Sequence, residues 1–311
     1  MTLILMSVDD AEFAEYSEAI RDACAARGVS IDLADGATDP AEIDIIVHTP
    51  AGPVTDFSPF TKLRAVLSLW AGVERVVGNR TLTAPLCRMV DPGLTEGMVE
   101  YVAGHVLRHH LGLDAVLAQQ DGIWRAGSVP PLARERRVGM LGLGALGTAC
   151  AQALTGLGFA VSGWSRRPAS VPGVACHTGA DGLAEVLATS DIVVTLLPAT
   201  PETTDLLDAA RIARMKPGAV LINPGRGTLI DDTALLAALD TGHLAHATLD
   251  VFRTEPLPPG HPFWSHPRVT VTPHIAATTR AETSAPVIAE NVARIVEGRD
   301  LLYRVDRAAG Y

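Results

Sequence analysis

Residues 137–167 read RVGMLGLGALGTACAQALTGLGFAVSGWSRR, and this stretch decides the fold. An apolar run at 138–141 leads into Gly142-x-Gly144-x-x-Gly147; an Ala/Leu-rich helical pattern follows, then a second β-type run at 159–164. The order strand, glycine turn, helix, strand predicts a dinucleotide-binding βαβ unit. Each glycine has its own task. Gly142 makes the tight turn, Gly144 lets the backbone approach a pyrophosphate, and Gly147 brings the helix onto the strand. Ala145 and Leu146 fall between them, so that backbone N–H groups collect at the positive end of the helix dipole, where phosphates bind.

The end of the second strand narrows the ligand. A cofactor with a free ribose 2′-hydroxyl usually meets an acidic residue roughly 20 residues further on. That place holds Trp164-Ser165-Arg166-Arg167, with no carboxylate. A hydroxyl and two planar guanidinium groups suit a 2′-phosphate, so Ser165, Arg166 and Arg167 point to NADPH over NADH. The competing explanation is chance, because the chain has only two lysines, Lys62 and Lys216, and arginine is its default cation.

Composition sets the outer bounds. A chain of 311 residues has length for two domains, each with its own core. An apolar content of 48% with 19% charged residues describes a soluble globular chain. The net charge of −10 and pI near 5.4 argue against a nucleic-acid partner, which calls for a basic face. Cys24, Cys87, Cys150 and Cys176 lie far apart, with no C-x-x-C pair, and are expected to be buried thiols. The opening MTLILMSVDD lacks a basic leader, and no segment approaches the ~20 apolar residues of a membrane span. The chain therefore reads as cytoplasmic, with no membrane partner.

On the N-terminal side, apolar runs at 2–8, 43–48 and 63–69 alternate with helical spacing at 10–28, which predicts a small open α/β domain without a second glycine motif. The third run ends in Trp70-Ala71-Gly72, whose backbone N–H groups can hold a carboxylate; an ordinary strand-to-helix turn explains these residues equally well. A long helix is expected over 96–120, carrying His105, His109 and His110. His105 and His109 stand one turn apart, but without a third ligand they are expected to be solvated or interface histidines rather than a metal site. Residues 126–135 read as a loop into the glycine unit.

Beyond that unit, apolar runs at 191–197, 219–223, 246–251 and 269–272 predict four buried strands, and 285–297 a terminal helix. The first ends at Leu197-Pro198, the second at Pro224-Gly225-Arg226-Gly227, the third at Asp250 with Glu255 in the loop beyond, and the fourth at Pro273-His274. Polar residues thus converge on the sheet edge where the nucleotide lies. Arg226, Glu255 and His274 are what reduction of a 2-oxo acid requires. The arginine binds the carboxylate and carbonyl oxygen, the histidine donates the proton as hydride reaches the carbon, and the carboxylate fixes the histidine tautomer and favours its protonated form.

At these residues the chain resembles the D-isomer-specific 2-hydroxyacid dehydrogenases, and among them the glyoxylate/hydroxypyruvate reductase A branch. The likeness runs over nearly the whole length, carried by VGMLGLGALG, LLPATPETTDLLDAARIARMKPGAVLINPGRG, LDVFRTEPLPPGHPFWSHPRVTVTPHIAATTR and the ending VDRAAGY. The resemblance implies catalytic roles for Arg226, Glu255 and His274, substrate contacts from Trp70, Ala71, Gly72, Arg226 and His274, and a nicotinamide-amide contact at Asp250. It implies further cofactor contacts from Leu197, Pro198, Thr203, Pro224 and Gly225, with Ser165, Arg166 and Arg167 as the NADPH signature. It also implies an α/β architecture of two doubly wound parallel-sheet domains with a cleft between them. These are a Rossmann-type cofactor domain at 95–282 and a smaller flavodoxin-like substrate domain from 1–94 and 283–311, in a homodimer formed through the cofactor domain and its long helix. Two departures stand out. Asn223-Pro224-Gly225 replaces the usual Asn-x-Ala or Asn-x-Ser, and Trp70 stands where many relatives have a smaller residue.

The expected activity is NADPH-dependent reduction of glyoxylate, hydroxypyruvate or a similar small 2-oxo acid. An NAD-linked D-2-hydroxyacid or phosphoglycerate dehydrogenase is the neighbouring alternative, disfavoured by the missing acidic residue. A non-catalytic NADP(H) sensor is the alternative from another class; it has no need of a proton donor.

Overall fold

Asp9 and Glu12 cap each other at the start of the chain. The Asp9 carboxylate accepts the Glu12 N–H at 2.8 Å, and the Glu12 side chain accepts the Asp9 N–H at 3.1 Å. This cap starts α1 (Asp10–Ala26) directly after β1 (Thr2–Ser7). The computed structural model describes residues 1–35, 37–126 and 129–310. Gly127 and Ser128 of the expected loop, and Tyr311 of the C-terminal motif, lie outside the described residues. The chain divides into two compact units, Met1–Leu94 with Thr278–Tyr311, and Thr95–Ala277.

The first unit continues with β2 (Ile31–Leu33), β3 (Ile45–His48), β4 (Ala65–Ser68), α2 (Glu74–Val77) and β5 (Leu86–Cys87). Its five strands are all parallel, in the order β2-β1-β3-β4-β5. Ile4, Met6, Ile45 and Leu67 pack against one helical layer, while Ile46, Val66 and Leu86 face a second cluster with Phe57 and Val76. Burial on both faces is why these strands read as continuous apolar runs.

The second unit is built from α3 (Pro92–Leu111) from Thr95 onward, α4 (Leu113–Leu117), β6 (Arg137–Leu141), α5 (Ala145–Gly156), β7 (Ala160–Trp164), β8 (Val174–His177), α6 (Gly179–Thr189), β9 (Ile192–Thr195), α7 (Ala209–Ile212), β10 (Ala219–Asn223), α8 (Asp232–Asp240), β11 (Leu244–Leu249) and β12 (Val269–Val271). The seven strands are parallel, in the order β12-β11-β10-β9-β6-β7-β8. In β10, Val220 and Ile222 face α3 and α5 residues, whereas Ala219 and Leu221 face α6 and α8 residues. The final helix, α9 (Ala281–Glu297), returns to the first unit and packs on its sheet through Ile288, Ala289 and Val292.

The structure corrects several expectations. The helix expected over 96–120 starts earlier, at Pro92, and stops at Leu111. Gly112 then takes φ +65° and begins the short α4. A left-handed residue interrupts the helical ladder, and glycine adopts it without a Cβ penalty. The terminal helix starts at Ala281 rather than 285 and contains Pro286. That proline lies on the exposed face while the flanking buried residues hold the helix to its core. Cys24, Cys87 and Cys150 are buried as expected, but Cys176 is only half-buried, on the edge strand β8.

Candidate active site

In the second unit, a ladder of backbone bonds continues one step past the strand ends. Gly142 N–H donates to Trp164 O at 2.8 Å, Leu196 N–H to Leu141 O at 2.7 Å, Asp250 N–H to Asn223 O at 3.0 Å, and Thr272 N–H to Leu249 O at 2.9 Å. The loops after β6, β9, β10, β11 and β12 are thereby fixed along one sheet edge, with the glycine turn at one end and His274 at the other. This is the carboxyl edge on which open α/β sheets bind ligands.

The three glycines do separate work. Gly142 has φ +109°, and a Cβ there would lie 2.3 Å from the Leu196 carbonyl oxygen. A Cβ at Gly147 would lie 1.9 Å from the Gly142 oxygen, so the helix start is pressed onto the turn. At Gly144 a Cβ would meet nothing within 4 Å. Gly144 is also the N-cap of α5, with no side chain bonded across the helix start. The turn therefore leaves open space and the first helical N–H groups for an anion, which fits a pyrophosphate.

Ser165, Arg166 and Arg167 follow β7 directly. Ser165 is half-buried; its N–H donates to His177 O at 3.1 Å and its hydroxyl to Arg167 O at 2.6 Å, turning the chain so that both arginines are exposed. Two cations on a short, braced turn fit a phosphate monoester. Beyond β9, the Thr203 hydroxyl donates to Pro198 O at 2.6 Å and accepts the Thr200 N–H at 2.9 Å. It shapes the loop after Leu197 by internal bonds.

Asn223 is the hub of the next loop. Its side-chain oxygen accepts the Thr195 hydroxyl at 2.6 Å and the Gly225 N–H at 3.1 Å, and its amide donates to Arg226 O at 2.9 Å. A Cβ at Gly225 would lie 2.7 Å from Thr195 O, so the Pro224-Gly225 turn is drawn in against β9. A side chain at this position would have to push the turn away from β9. The Arg226 guanidinium bonds the Gly225 carbonyl at 2.7 Å, and its charge reaches both Glu255 and His274.

His274 and Glu255 form a pair. The Nδ1 of His274 stands 2.8 Å from Glu255 Oε2, while Glu255 Oε1 accepts the Phe252 N–H at 2.8 Å. The bond from Glu255 raises the His274 pKa above the ordinary histidine value, against the opposing effect of burial. For Glu255, burial acts upward, but the His274 bond and the Phe252 N–H outweigh it and hold the carboxyl below its usual range. With Nδ1 engaged, Nε2 is left for a substrate, and the imidazole side chain is 49% exposed.

Asp250 supports this pair from behind. It is fully buried; Oδ1 accepts the Thr272 hydroxyl at 2.6 Å and Ile275 N–H at 2.9 Å, and Oδ2 accepts Ala276 N–H at 2.9 Å. Its backbone oxygen also accepts the His274 N–H at 2.9 Å. His274 has φ +56°, a left-handed conformation that costs a non-glycine residue on the order of 1–3 kcal/mol. The Asp250 clamp offsets that cost. The resemblance gives Asp250 a nicotinamide contact; in this structure its carboxylate also accepts from Thr272, Ile275 and Ala276.

In the first unit, the turn after β4 is fixed by Ser68, whose hydroxyl accepts the Trp70 N–H and donates to Trp70 O, each at 3.0 Å. The Ala71 and Gly72 N–H groups have no acceptor among the described residues, so the turn offers two donors rather than three. The Trp70 side chain is exposed.

Of the α3 histidines, His105 and His109 are half-buried and His110 is buried. Among the described residues no group of three potential ligands stands together. His109 bonds the Thr248 hydroxyl at 2.9 Å beside His246, and burial, then His246, pushes its pKa down to about 3. His105 packs at a tilt against Tyr101, and His110 meets Phe159 edge-on. Sequence reasoning missed Thr195, Thr272 and Tyr101, whose partners are distant in the chain. Thr195 and Thr272 did leave one signal, a hydroxyl at the end of an apolar strand run.

Residues 104–276 match the family model described as D-isomer specific 2-hydroxyacid dehydrogenase, NAD binding domain. The chain is 41% identical over 259 residues to a glyoxylate/hydroxypyruvate reductase A of Serratia proteamaculans, covering 80% of this chain and 82% of that protein. Among solved structures it is similar to a D-isomer specific 2-hydroxyacid dehydrogenase from Xanthobacter autotrophicus Py2 in complex with NADPH and MES, with TM-score 0.91, 40% identity, and 100% and 99% of the two chains covered. An NADPH-dependent glyoxylate/hydroxypyruvate reductase from Sinorhizobium meliloti, in complex with NADP and sulfate, matches with TM-score 0.88 and 34% identity over the full length of both chains.

Proposed function

The chain belongs to the D-isomer specific 2-hydroxyacid dehydrogenases, and from that membership we propose that it is an NADPH-dependent reductase of glyoxylate, hydroxypyruvate or a closely similar 2-oxo acid. The observation that carries the reading is the His274–Glu255 pair beside Arg226, a proton donor whose charged form the carboxylate favours, on the ligand-binding edge of a nucleotide fold. Held by the Gly142–Gly147 turn and the Ser165–Arg167 turn, NADPH would supply a hydride. Arg226 binds the substrate carboxylate and carbonyl oxygen and turns the carbonyl carbon toward the cofactor. As that carbon gains the hydride, the carbonyl electron pair moves onto oxygen, and His274 Nε2 gives its proton to that oxygen. Glu255 stabilises the imidazolium before transfer, and both cations stabilise the growing negative charge more than they stabilise the ground state. In the first unit, the free N–H groups of Ala71 and Gly72 suit a carboxylate, and Trp70 offers an apolar surface.

Ser165, Arg166 and Arg167 are assigned to the 2′-phosphate, Gly142 to Gly147 to the pyrophosphate, and the loops at Leu197, Pro198, Thr203, Pro224 and Gly225 to the rest of the cofactor. Consumption of NADPH goes with a cytoplasmic location. A homodimer through the second unit belongs to the same proposal, because that unit leaves Leu113, Val116, Leu117, Ile123 and Trp124 exposed within a dozen residues.

The decisive experiment is initial-rate oxidation of NADPH and NADH, side by side, with glyoxylate, hydroxypyruvate, pyruvate and phenylpyruvate. Fast turnover of the two small polar acids with NADPH is the expected result. Binding of NADPH with no acid reduced refutes the reductase.

A further inference from the structure

The buried side of the site reaches further than the Asp250 clamp. The phenolic oxygen of Tyr101, on α3, stands 2.7 Å from the Thr272 hydroxyl oxygen. Thr272 in turn donates to Asp250 Oδ1 at 2.6 Å. Proton inventory fixes the direction of this chain. An ionised carboxylate only accepts, and a threonine hydroxyl has one proton, so Thr272 spends its proton on Asp250 and must accept from Tyr101. Burial pushes the Tyr101 pKa up to about 12, so the phenol keeps its proton at neutral pH. Tyr101 → Thr272 → Asp250 is therefore a one-way relay from a helix to the carboxylate that holds the Ile275 and Ala276 N–H groups. Those two residues directly follow His274, whose left-handed backbone does not hold itself. The Tyr101 ring packs at a tilt against His105 with centroids 4.5 Å apart, which limits its freedom to leave the relay.

We propose that Tyr101 is a positioning residue: acting through Thr272 and Asp250, it fixes the left-handed turn that aims His274 at the substrate carbonyl. The proposal rests on the reductase reading for its kinetic consequence but not for its structural one. Loss of one net hydrogen bond corresponds to about a 3- to 10-fold effect.

The test uses the full-length enzyme with Tyr101→Phe, Thr272→Val, the double substitution, and Thr272→Ser, which keeps the hydroxyl. Two readouts run in parallel: kcat and KM for glyoxylate at saturating NADPH, and amide hydrogen exchange at Ile275 and Ala276. Tyr101→Phe is expected to lower kcat by about 3- to 10-fold with KM and NADPH affinity little changed, and to speed exchange at both amides by a similar factor. Thr272→Val should do at least as much, the double variant no more than Thr272→Val alone, and Thr272→Ser should stay within about twofold of wild type. Wild-type exchange at Ile275 and Ala276 in Tyr101→Phe overturns the relay, whatever the kinetics. Losses that multiply in the double variant overturn it as well, because two residues on one chain of bonds cannot act independently. If the wild-type enzyme reduces no 2-oxo acid while exchange responds as stated, the positioning role stands and the reductase reading has failed.

Discussion

The chemistry of the site is set by opposed shifts in two neighbouring groups. Glu255 lies below the ordinary carboxylate range and His274 above the ordinary histidine value, and a single 2.8 Å bond accounts for much of both. Reduction needs protonated His274, so its rate should fall as pH rises through the raised His274 value. In Glu255→Gln the bond to a charge is lost while burial, which disfavours the imidazolium, remains. The basic limb of kcat/KM for reduction should therefore move to lower pH; a limb that stays in place would remove Glu255 from the mechanism. The sign reverses for oxidation of the 2-hydroxy acid, which needs neutral His274 and should extend to lower pH in the same variant. His274→Gln deletes the donor and should lower kcat by about 10²- to 10⁴-fold while NADPH still binds, measured by cofactor fluorescence. Equal losses of binding and turnover would mean that His274 is there to build the loop.

At the level of elements, the glycine turn makes a prediction that separates folding from binding. Gly144→Ala places its methyl in open space with an unstrained φ of −74°, so thermal stability should match wild type while NADPH binding is lost to the methyl in the phosphate's place. Gly147→Ala instead drives its methyl against the Gly142 oxygen and should destabilise the protein itself, by about 1–3 kcal/mol in chemical denaturation. Equal Tm losses in both variants would refute the division of labour. Just past the next strand, Arg166→Ala should weaken NADPH by about 10- to 100-fold and leave NADH nearly unchanged, since a charge-assisted phosphate bond is worth ~1.5–3 kcal/mol. An unaltered preference between the two cofactors would return the 2′-phosphate to other residues. These elements were legible because parallel strands buried on both faces make unbroken apolar runs and because Gly142, Gly144 and Gly147 have a fixed spacing. Arg226, Glu255 and His274 were legible for a related reason: each follows a strand whose end was visible. The rest had no such periodicity. Strand β5 has only two residues, and β2 and β8, at the sheet edges, are half-exposed and so carry no continuous apolar run. The break at Gly112 was hidden inside a helical rhythm that resumes at once in α4. Tyr101 and Thr272 lie 171 positions apart, and only the fold brings them together.

For the whole molecule, the open question is how a chain of net charge −10 carries a run of exposed apolar side chains in one place. Val116 and Leu117 on α4 are about 60% exposed and Trp124 is 95% exposed. Alone, each is ordinary, but so many exposed large apolar residues within a dozen positions of sequence are what a covered surface supplies. Net negative charge keeps single chains apart in solution, so association at this surface must draw on apolar burial, with ~1.5–3 kcal/mol available from each large side chain. A second copy covering the same surface is the simplest closed arrangement, since a two-fold axis makes one patch serve both partners. The wild-type protein should then sediment as a dimer at micromolar concentration, and Leu117→Glu combined with Trp124→Glu should yield monomers. Both substituted side chains are exposed in the single chain, so its fold and NADPH binding should persist. A double variant that remains a dimer would move the interface elsewhere, and a wild-type monomer at these concentrations would remove the homodimer from the proposal.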